Sequence, residues 1–439
     1  MAALAMTTET FSAAPNAALV VRKLTFRLLP FLFLLYIVAF IDRVNVGFAA
    51  LQMQDRLGLS DAVYGFGAGI FFLGYFLFQV PSNWILERVG ARRWMAFLLL
   101  AWGVTSASMV FIRGPRSFYS LRFLLGAAEA GFFPGMVFYL RSWFPAAARA
   151  RAVAIFMTAV PMAGVIGGPI SGALLNLDNF HGLSGWQWMF LLEALPAIVL
   201  SGVVLVLLPE TPSSAAWLAP SDRDWLMATL QEEQRNFVAT TAHRFAVLKI
   251  AAVWLLAMVY FGLNATTYSA NFWLPNLIRS QSNMSSFGIG LLTALPNFVT
   301  AFAMVLIGLN SDRTGERRFH VAGCAFVGAS GLMVAALGGS FLSMFLGVGL
   351  AVIAVNSMCG PFWAMPTTLL PQALAATGIA VINSLGNTGG FFGPYLVGLM
   401  KTSTGAFKGG LLVLAAFLVV AAIITLVLPA FIRKPAHVA

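Results

Sequence analysis

Charged residues are scarce in this chain of 439 residues. Only 9% of them are Asp, Glu, Lys or Arg, whereas 60% are hydrophobic. A soluble domain carries about 25% charged residues, so this composition excludes a soluble globular protein. It predicts instead a chain that crosses a membrane many times, with one crossing for each stretch of about 20 apolar residues.

Residues and motifs of catalytic and metal sites are also few. The two cysteines, Cys324 and Cys359, form no CxxC pair, which excludes a zinc ribbon or a dithiol redox site. The four histidines lie in loops, tails or span edges, which excludes a histidine relay inside the membrane. No HExxH or GxSxG motif is present. We therefore expect no enzyme activity, no metal and no cofactor.

Twelve apolar stretches are long enough to cross a bilayer. They are residues 26–51, 61–84, 94–112, 116–141, 150–175, 188–208, 247–278, 287–309, 319–338, 341–366, 373–400 and 407–431. The predicted fold class is therefore all-α and membrane-integral, with twelve transmembrane helices, numbered here as spans 1 to 12.

Membrane topology explains the net charge of +11 better than nucleic-acid binding does. With the amino terminus inside, the cytoplasmic segments hold eighteen of the 26 Lys and Arg residues, the outer segments hold six, and two lie within spans. Basic residues concentrate on the cytoplasmic side of membrane proteins. We predict that both termini are cytoplasmic and that these basic groups face membrane lipid, not nucleic acid.

Two similar halves flank the polar segment 209–246. The sequence ERVGARR after span 2 returns as DRTGERR after span 8, 225 residues later, and Gly168-Pro169 returns as Gly393-Pro394 at the same offset. Parallel six-span halves are a transporter arrangement with the substrate site between them. We predict a tail at 1–25, a first half at 26–208, a linker at 209–246, a second half at 247–431 and a tail at 432–439. In the two turn motifs, we expect a gating or structural role at the cytoplasmic helix ends for Gly90, Arg92, Asp312, Arg313 and Gly315.

Four ionisable residues lie inside the predicted spans, all in the first half: Asp42 and Arg43 in span 1, and Arg122 and Glu129 in span 4. Charges at membrane depth are costly and mark ion or substrate pathways. Arg122 and Glu129 are seven residues apart, so they share a helix face and differ in depth by about 10 Å. Asp42 lies at a depth comparable to that of Arg122, and Arg43 points about 100° away from Asp42. We predict two pairs in one cavity, Asp42–Arg122 and Arg43–Glu129.

Such pairs can couple a proton to an anion. Burial disfavours a charged carboxylate, and a neighbouring guanidinium group favours it. When the carboxylate takes up a proton, its arginine loses a counter-ion and can bind a substrate carboxylate through two parallel hydrogen bonds. The alternative is that the pairs only fasten spans 1 and 4, although small residues do this at lower cost in membranes.

The second half has no such charges. The 225-residue offset pairs the four ionisable residues with uncharged ones: Asp42 with Thr267, Arg43 with Tyr268, Arg122 with Gly347 and Glu129 with Ala354. One half therefore provides ionic groups, and the other provides hydrogen-bonding groups for a substrate.

Three further residues are candidates for substrate contact. Tyr75 in span 2 offers a hydroxyl group, and Trp363 in span 10 offers an aromatic wall between two prolines. For both of these, ordinary helix packing is an equally good interpretation. Asn383 in span 11 forms an i,i+4 polar ladder with Asn387. Glu193 in span 6 lies near the predicted outer edge, where we expect a structural role.

The chain resembles transporters of the major facilitator superfamily. The motifs ERVGARR and DRTGERR are similar to the signature that follows the second span of each half in that superfamily. Within it, FIDRVNVGFA, the R-x6-E spacing of span 4 and GWQWMFLLEALPAI resemble the anion:cation symporter family, whose bacterial members import organic acids of the phthalate, tartrate, sugar-acid and hydroxyphenylacetate type.

This resemblance implies roles for the candidate residues. It implies that Asp42 and Glu129 handle protons and that Arg43 and Arg122 serve the anion. It also implies that the pocket is lined by Tyr75, Trp363 and Asn383. The protein would then be a monomer in a bacterial inner membrane, with the proton as coupling ion and no other cofactor.

We therefore predict a symporter that imports a small organic carboxylate with protons by alternating access. Where sugar-acid carriers resembling this chain place a glutamine in span 5, residues 156–161 are mostly apolar, which favours an aromatic or dicarboxylic acid. The alternative is a proton-coupled antiporter that exports drugs or metabolites, because Gly164-x3-Gly168-Pro169-x2-Gly172 resembles the span 5 motif of such exporters. Arg43 and Arg122 count against that alternative, since they repel a cationic substrate.

Overall fold

The computed structural model describes residues 17–236, 244–370 and 372–431, and their regular structure is helical. Eleven of the described helical segments are long and apolar enough to cross a bilayer. They are Ala17–Leu57 (span 1), Asp61–Val89 (span 2), Ala91–Phe111 (span 3), Pro115–Trp143 (span 4), Ala146–Leu177 (span 5), Gly185–Leu207 (span 6), Ala251–Ser280 (span 7), Ser286–Thr314 (span 8), Arg318–Leu337 (span 9), Phe341–Leu369 (span 10) and Lys408–Ala430 (span 12). The predicted all-α membrane fold is confirmed.

Span 11 differs from the predicted single stretch at 373–400. It consists of two helices of 16 residues each, Gln372–Asn387 and Gly389–Thr404, which meet at Thr388. Sixteen residues reach only about 24 Å, which is less than the hydrocarbon core of a bilayer. The two helices can cross the membrane together but not singly.

Other spans are also interrupted near their middle. Span 1 breaks at Asn45, span 4 breaks after Glu129, span 5 breaks at Thr158 and span 10 breaks at Met358. The junction residues keep right-handed helical dihedral angles, so each span continues across its interruption. The interruptions in spans 4 and 5 have counterparts in spans 10 and 11, as the repeat of the two halves predicts. A substrate site is expected in the interior between two such halves.

The two halves contact each other where small residues allow helices to approach. At the crossing of spans 5 and 8, a Cβ atom added to Gly168 would lie 2.7 Å from the carbonyl oxygen of Gly290 and 2.8 Å from Thr293 Oγ1. Spans 2 and 11 cross similarly at Gly65 and Pro394. Glycine at these positions lets two backbones meet without a side chain between them.

The outside of the bundle is apolar. Large hydrophobic side chains are exposed around it, including Leu77, Val206 and Leu306, the second of which is 83% exposed. In water such a surface would aggregate, but it suits contact with lipid. The chain is therefore an integral membrane protein.

The linker lies against the first half through ion pairs. Arg149 Nη2 lies 2.8 Å from Glu233 Oε2, and Lys23 Nζ lies 2.7 Å from Asp222 Oδ2. The linker contains a helix that runs from Pro220 to Asn236. Residues 237–243, most of the amino-terminal tail and the carboxy-terminal tail 432–439 lie outside the described residues.

Candidate functional site

The pair between Arg43 and Glu129 is the centre of the site. Arg43 Nε and Nη2 lie 3.0 Å and 2.8 Å from Glu129 Oε2, and both side chains are buried. Glu129 is the last residue before the break in span 4, and Arg43 lies two residues before the break in span 1. The predicted Arg43–Glu129 pair is confirmed.

Asp42 has partners other than the predicted one. Its Oδ2 accepts a hydrogen bond of 3.1 Å from Trp102 Nε1, and its Oδ1 accepts one of 3.2 Å from Ser106 Oγ. Both donors lie on span 3, four residues apart. Because neighbouring residues on a helix point about 100° apart, Asp42 turns towards span 3 when Arg43 turns towards span 4. The predicted Asp42–Arg122 pair is therefore wrong.

Arg122 is a buried cation, and some of its N–H donors have no partner among the described residues. Its Nη2 donates a hydrogen bond of 3.0 Å to the carbonyl oxygen of Ala68, but its Nε and Nη1 are buried without a hydrogen-bond partner among the described residues. Its guanidinium carbon lies 5.1 Å from the centroid of the Phe71 ring. Nε and Nη1 are therefore available to an acceptor, and a carboxylate matches a guanidinium group best.

Phe71 and Tyr75 of span 2 bring the two arginines into one site. The guanidinium carbon of Arg43 lies 5.5 Å from the Phe71 ring centroid, so both cations lie over the same ring. The ring of Tyr75 lies 5.5 Å from Arg43 as well. Aromatic faces attract cations. Tyr75 therefore contacts the ionic pair, and its role in substrate binding stays a prediction.

The second half reaches Arg43 through Tyr268. The Tyr268 hydroxyl accepts a hydrogen bond of 3.3 Å from Arg43 Nη1, and the two residues are 225 positions apart. They occupy equivalent places in the two halves. The 225-residue offset already pairs them, so the repeat was the signal for this contact.

Span 7 connects the remaining candidates. Tyr260, Asn264 and Tyr268 are spaced four residues apart and therefore follow one face of span 7; we call them the span 7 stripe. The Trp363 ring lies 4.8 Å from the Tyr260 ring.

Asn383 reaches the span 7 stripe through Asn387. Asn387 Nδ2 donates to Asn383 Oδ1 at 3.2 Å, and Asn264 Nδ2 donates to Asn387 Oδ1 at 3.4 Å. Trp363 thus contacts one end of the stripe and Arg43 the other, about 12 Å apart along the helix, and Asn383 is linked through Asn387 to its middle residue.

One wall of the site is aromatic, and sequence reasoning missed its central residue. The ring of Tyr36 in span 1 lies 4.7 Å from Phe156 in span 5 and 5.8 Å from Phe133 in span 4. Tyr36 lies seven residues before Arg43, so the spacing of two helical turns was a signal for a shared face.

The predicted outer end of the bundle is closed over the site. Lys401 Nζ lies 2.9 Å from Asp61 Oδ1, and Asn276 Nδ2 donates to Gln54 Oε1 at 2.9 Å. Arg279 also donates to the carbonyl oxygen of Leu51. Each of these contacts joins the first half to the second. We call them the outer contacts.

The first turn motif and the linker meet at the opposite end. Gly90 has a φ of 90°, and Arg92 Nε lies 3.1 Å from Glu210 Oε2, just after span 6. Glycine suits this position because other residues rarely adopt a φ of 90°.

The second turn motif is held by contacts of its own. Arg317 Nη2 lies 2.6 Å from Asp312 Oδ1, and Gly315 ends span 8 with a φ of 67°. Arg313 is exposed. These contacts fix helix ends, as predicted for the motifs, and their part in gating stays a prediction.

Comparisons with known proteins agree with this architecture. The sequence profile of the Major Facilitator Superfamily matches residues 32–394. A protein of Agrobacterium vitis that is named as a candidate tartrate transporter is 50% identical over 93% of this chain and 94% of its own length. NicT of Pseudomonas putida, named as a candidate metabolite transport protein, is 41% identical over 93% of this chain and 94% of its own length. A quinolone resistance transporter of Acinetobacter baumannii is 38% identical over 94% of this chain and 96% of its own length.

Solved structures show the same fold. A bacterial homologue of the human lysosomal transporter Spinster aligns with a TM-score of 0.76 at 18% identity, over 97% of this chain and 100% of that one. A D-xylose–proton symporter aligns with a TM-score of 0.71 at 16% identity, over 92% of this chain and 97% of that one.

Proposed function

The chain belongs to the Major Facilitator Superfamily and is a transporter, not an enzyme, and from this premise we propose that it imports a small organic carboxylate together with protons. The observation that carries the proposal is the buried Arg43–Glu129 pair beside Arg122, whose Nε and Nη1 have no partner among the described residues. A carboxylate is the acceptor that suits these donors best, since guanidinium groups bind it through two parallel hydrogen bonds.

The ionic pair couples the proton to the anion. A proton on Glu129 would leave Arg43 buried without a counter-ion, and an uncompensated buried charge is strongly destabilising. A substrate carboxylate on Arg43 removes that cost. An anion without the proton is disfavoured in turn, because Glu129 would then compete with it for the same guanidinium group. Proton and anion therefore favour each other's binding.

The same pair allows the empty carrier to return. With the outer contacts formed, Arg43 and Glu129 neutralise each other, so neither proton nor substrate is needed. We propose that Asp42 and Glu129 take up protons from the outer side and that substrate and protons leave on the cytoplasmic side. Asp42 is suited to a proton because its two hydrogen-bond donors, on Trp102 and Ser106, are neutral.

The surroundings favour a dicarboxylic or aromatic acid. Arg43 and Arg122 lie over the same Phe71 ring, so two carboxylates of one small molecule can each meet a guanidinium group. The wall formed by Tyr36, Phe133 and Phe156 offers ring faces to an aromatic acid. The span 7 stripe supplies hydroxyl and amide groups for further hydrogen bonds.

We further propose that the protein works as a monomer in a bacterial inner membrane, without a cofactor other than the proton. One chain supplies both halves of the site, so a second copy is not required for it. The relatives named above from Agrobacterium, Pseudomonas and Acinetobacter are bacterial, which supports that location.

Transport in proteoliposomes tests the proposal. Labelled L-tartrate and labelled benzoate are supplied outside, with the outer solution more acidic than the lumen. Vesicles without protein under the same gradient are the reference, because benzoic acid also crosses lipid unaided. We expect one of the two acids to accumulate above its level in those vesicles, and this excess to vanish when a protonophore removes the gradient. Accumulation of neither acid, or accumulation that ignores the pH gradient, would reject proton-coupled import of these acids.

The second candidate is a proton-coupled exporter. It is favoured by the 38% identity to a quinolone resistance transporter. In the same vesicles, an antiporter would drive substrate towards the more acidic side, so the direction of flux separates the two functions. The buried arginines lead us to expect no transport of lipophilic cations in either direction.

A further inference from the structure

Glu193 is a buried carboxyl group that the transport cycle described above does not use. It is 6% exposed and lies eight residues inside span 6, about 12 Å from the end of that helix. Its Oε1 accepts a hydrogen bond of 2.6 Å from Ser171 Oγ, and its Oε2 accepts one of 3.0 Å from Asn45 Nδ2. Glu193 therefore lies deeper in span 6 than the predicted outer edge, and its expected structural role stays a prediction.

The partners of Glu193 are neutral. No ion pair is formed by Glu193 within the part of the chain that the structure describes, so its charged form is offset only by two uncharged donors. Hydrogen-bond donors alone compensate a buried charge less well than a counter-ion does. A group in this position is suited to hold a proton.

Asn45 already offers what a protonated Glu193 needs. A protonated carboxyl group becomes a donor and requires an acceptor. Asn45 is 1% exposed, and its Oδ1 has no hydrogen-bond partner among the described residues. Because Oδ1 and Nδ2 belong to one amide, a rotation of that amide replaces the donor to Glu193 with an acceptor. Asn45 also lies at the junction of the two helical segments of span 1.

Asp42 is the charged group that faces Glu193. It lies three residues before Asn45, on the same side of span 1, and the carboxylates that act on it electrostatically are Glu193 and, from span 4, Glu129. The other packed elements add no ionisable side chain at this depth. Span 3 has none after Arg93, and span 5 has none after Arg151. Two carboxyl groups without a cation between them disfavour each other's charged form.

Ser171 connects Glu193 to a cavity between the halves. Ser171 lines this cavity together with Asn271, Thr293 and Asn297 of spans 7 and 8. A serine hydroxyl can donate one proton while it accepts another. When it gives its proton to Glu193 Oε1, a proton from the cavity side restores the hydroxyl, so atoms and charges balance.

We propose that Glu193 is a second proton-binding carboxyl group of the transporter, loaded through Ser171, held by Asn45 and placed next to Asp42. Its role in transport rests on the proposed proton-coupled import, but its protonation does not. One carrier would thus hold protons at the ionic pair, where the substrate binds, and at a separate Asp42–Glu193 couple next to the break in span 1.

Infrared difference spectroscopy of the full-length protein in lipid bilayers tests this without a substrate. The carbonyl stretch of protonated carboxyl groups is followed from neutral to acidic pH for the wild type, Glu193→Gln and Asp42→Asn. We expect Glu193→Gln to lose one buried carboxyl band and to move the remaining Asp42 band to more acidic pH, since the repelling partner is gone. A purely structural Glu193 would leave the bands of wild type and variant identical, which would overturn the proposal.

A control variant and a substitute variant complete the test. Glu210→Gln removes a half-exposed carboxylate and is expected to leave the buried bands in place. If Glu193→Gln does not fold, Ser171→Ala serves instead, because loss of the hydrogen bond to Oε1 is expected to shift the Glu193 band. An unshifted band in Ser171→Ala would overturn the proposal as well. Tartrate or benzoate uptake that follows the pH gradient while these bands fail to appear would leave proton-coupled import standing and reject Glu193 alone.

Discussion

Removal of the charge on Glu129 is the most direct perturbation of the ionic pair. Glu129→Gln keeps the shape of the side chain but removes its charge, so Arg43 stays buried beside two neutral acceptors, the new amide oxygen and the Tyr268 hydroxyl. The variant imitates the permanently protonated carrier. We therefore expect it to bind and exchange substrate across the membrane but not to accumulate it, because the empty carrier can no longer neutralise Arg43 during its return.

The size of the effect follows from burial. Glu129 is fully buried and Arg43 nearly so, and loss of one partner from a buried ion pair costs about 3–5 kcal/mol. A cost of about 3 kcal/mol corresponds to about a 150-fold change in an equilibrium constant. We expect the empty form with the outer contacts closed to become less populated by about two orders of magnitude, and uphill uptake to fall to the level of vesicles without protein.

A matched variant and a double variant separate the loss of the buried charge from other effects of the substitution. Glu210→Gln makes the same chemical change in a half-exposed pair with Arg92, and such a pair contributes about 0–1 kcal/mol to the free energy of unfolding. Arg43→Gln combined with Glu129→Gln removes both charges, so thermal stability is expected to recover relative to Glu129→Gln alone, while uphill uptake stays absent. Undiminished accumulation in Glu129→Gln, or equal stability losses for Glu129→Gln and Glu210→Gln, would refute the assignment of coupling to this pair.

Three further predictions concern the substrate donors, the outer contacts and the crossing of the halves. Arg122→Lys keeps the charge but loses the planar donor set, so we expect the KM of carboxylate uptake to rise about tenfold or more. The thermal unfolding midpoint should stay close to that of the wild type. An unchanged KM would show that Arg122 does not bind the substrate. Lys401→Met breaks the contact with Asp61; we expect a cysteine placed at the outer end of span 2 to react faster with a membrane-impermeant thiol reagent, and equal rates would contradict the closed outer end. Gly168→Val forces a side chain against Gly290 and Thr293; we expect uptake to be lost and thermal stability to fall, whereas wild-type uptake would show that spans 5 and 8 do not need this close approach.

Helix geometry was enough to predict part of the site. Arg122 and Glu129 are seven residues apart, and Arg43 follows Asp42, so their relative directions and depths depend only on the α-helix repeat. The predicted Arg43–Glu129 pair used nothing more than this and the contact between spans 1 and 4. The all-α fold was equally predictable, since composition and the length of apolar stretches determine it.

The position of span 3 could not be predicted in the same way. The sequence marks residues 94–112 as apolar but does not say which neighbour each face meets, so the donors on Trp102 and Ser106 that hold Asp42 were not identified. Their i,i+4 spacing in an apolar span was an available signal. The burial of Glu193 was missed for the same reason, because it depends on how spans 1, 5 and 6 pack. Interruptions such as the one at Asn45 also depend on tertiary packing and leave little trace in hydropathy.

The lack of counterparts to the four buried ionisable residues in the second half follows from the symmetry of the fold. Residues 225 positions apart occupy equivalent places, and those near the axis between the halves meet each other, as Arg43 and Tyr268 do. A second arginine at position 268 would place two guanidinium groups face to face, whereas a tyrosine hydroxyl can accept a hydrogen bond from the first. Gly347, the counterpart of Arg122, is used for helix packing instead, since a Cβ atom there would lie 2.8 Å from the backbone nitrogen of Ala335. An arginine near this axis in one half therefore requires a neutral hydrogen-bond acceptor at the equivalent position of the other half. The pair of Arg43 and Tyr268 shows this asymmetry.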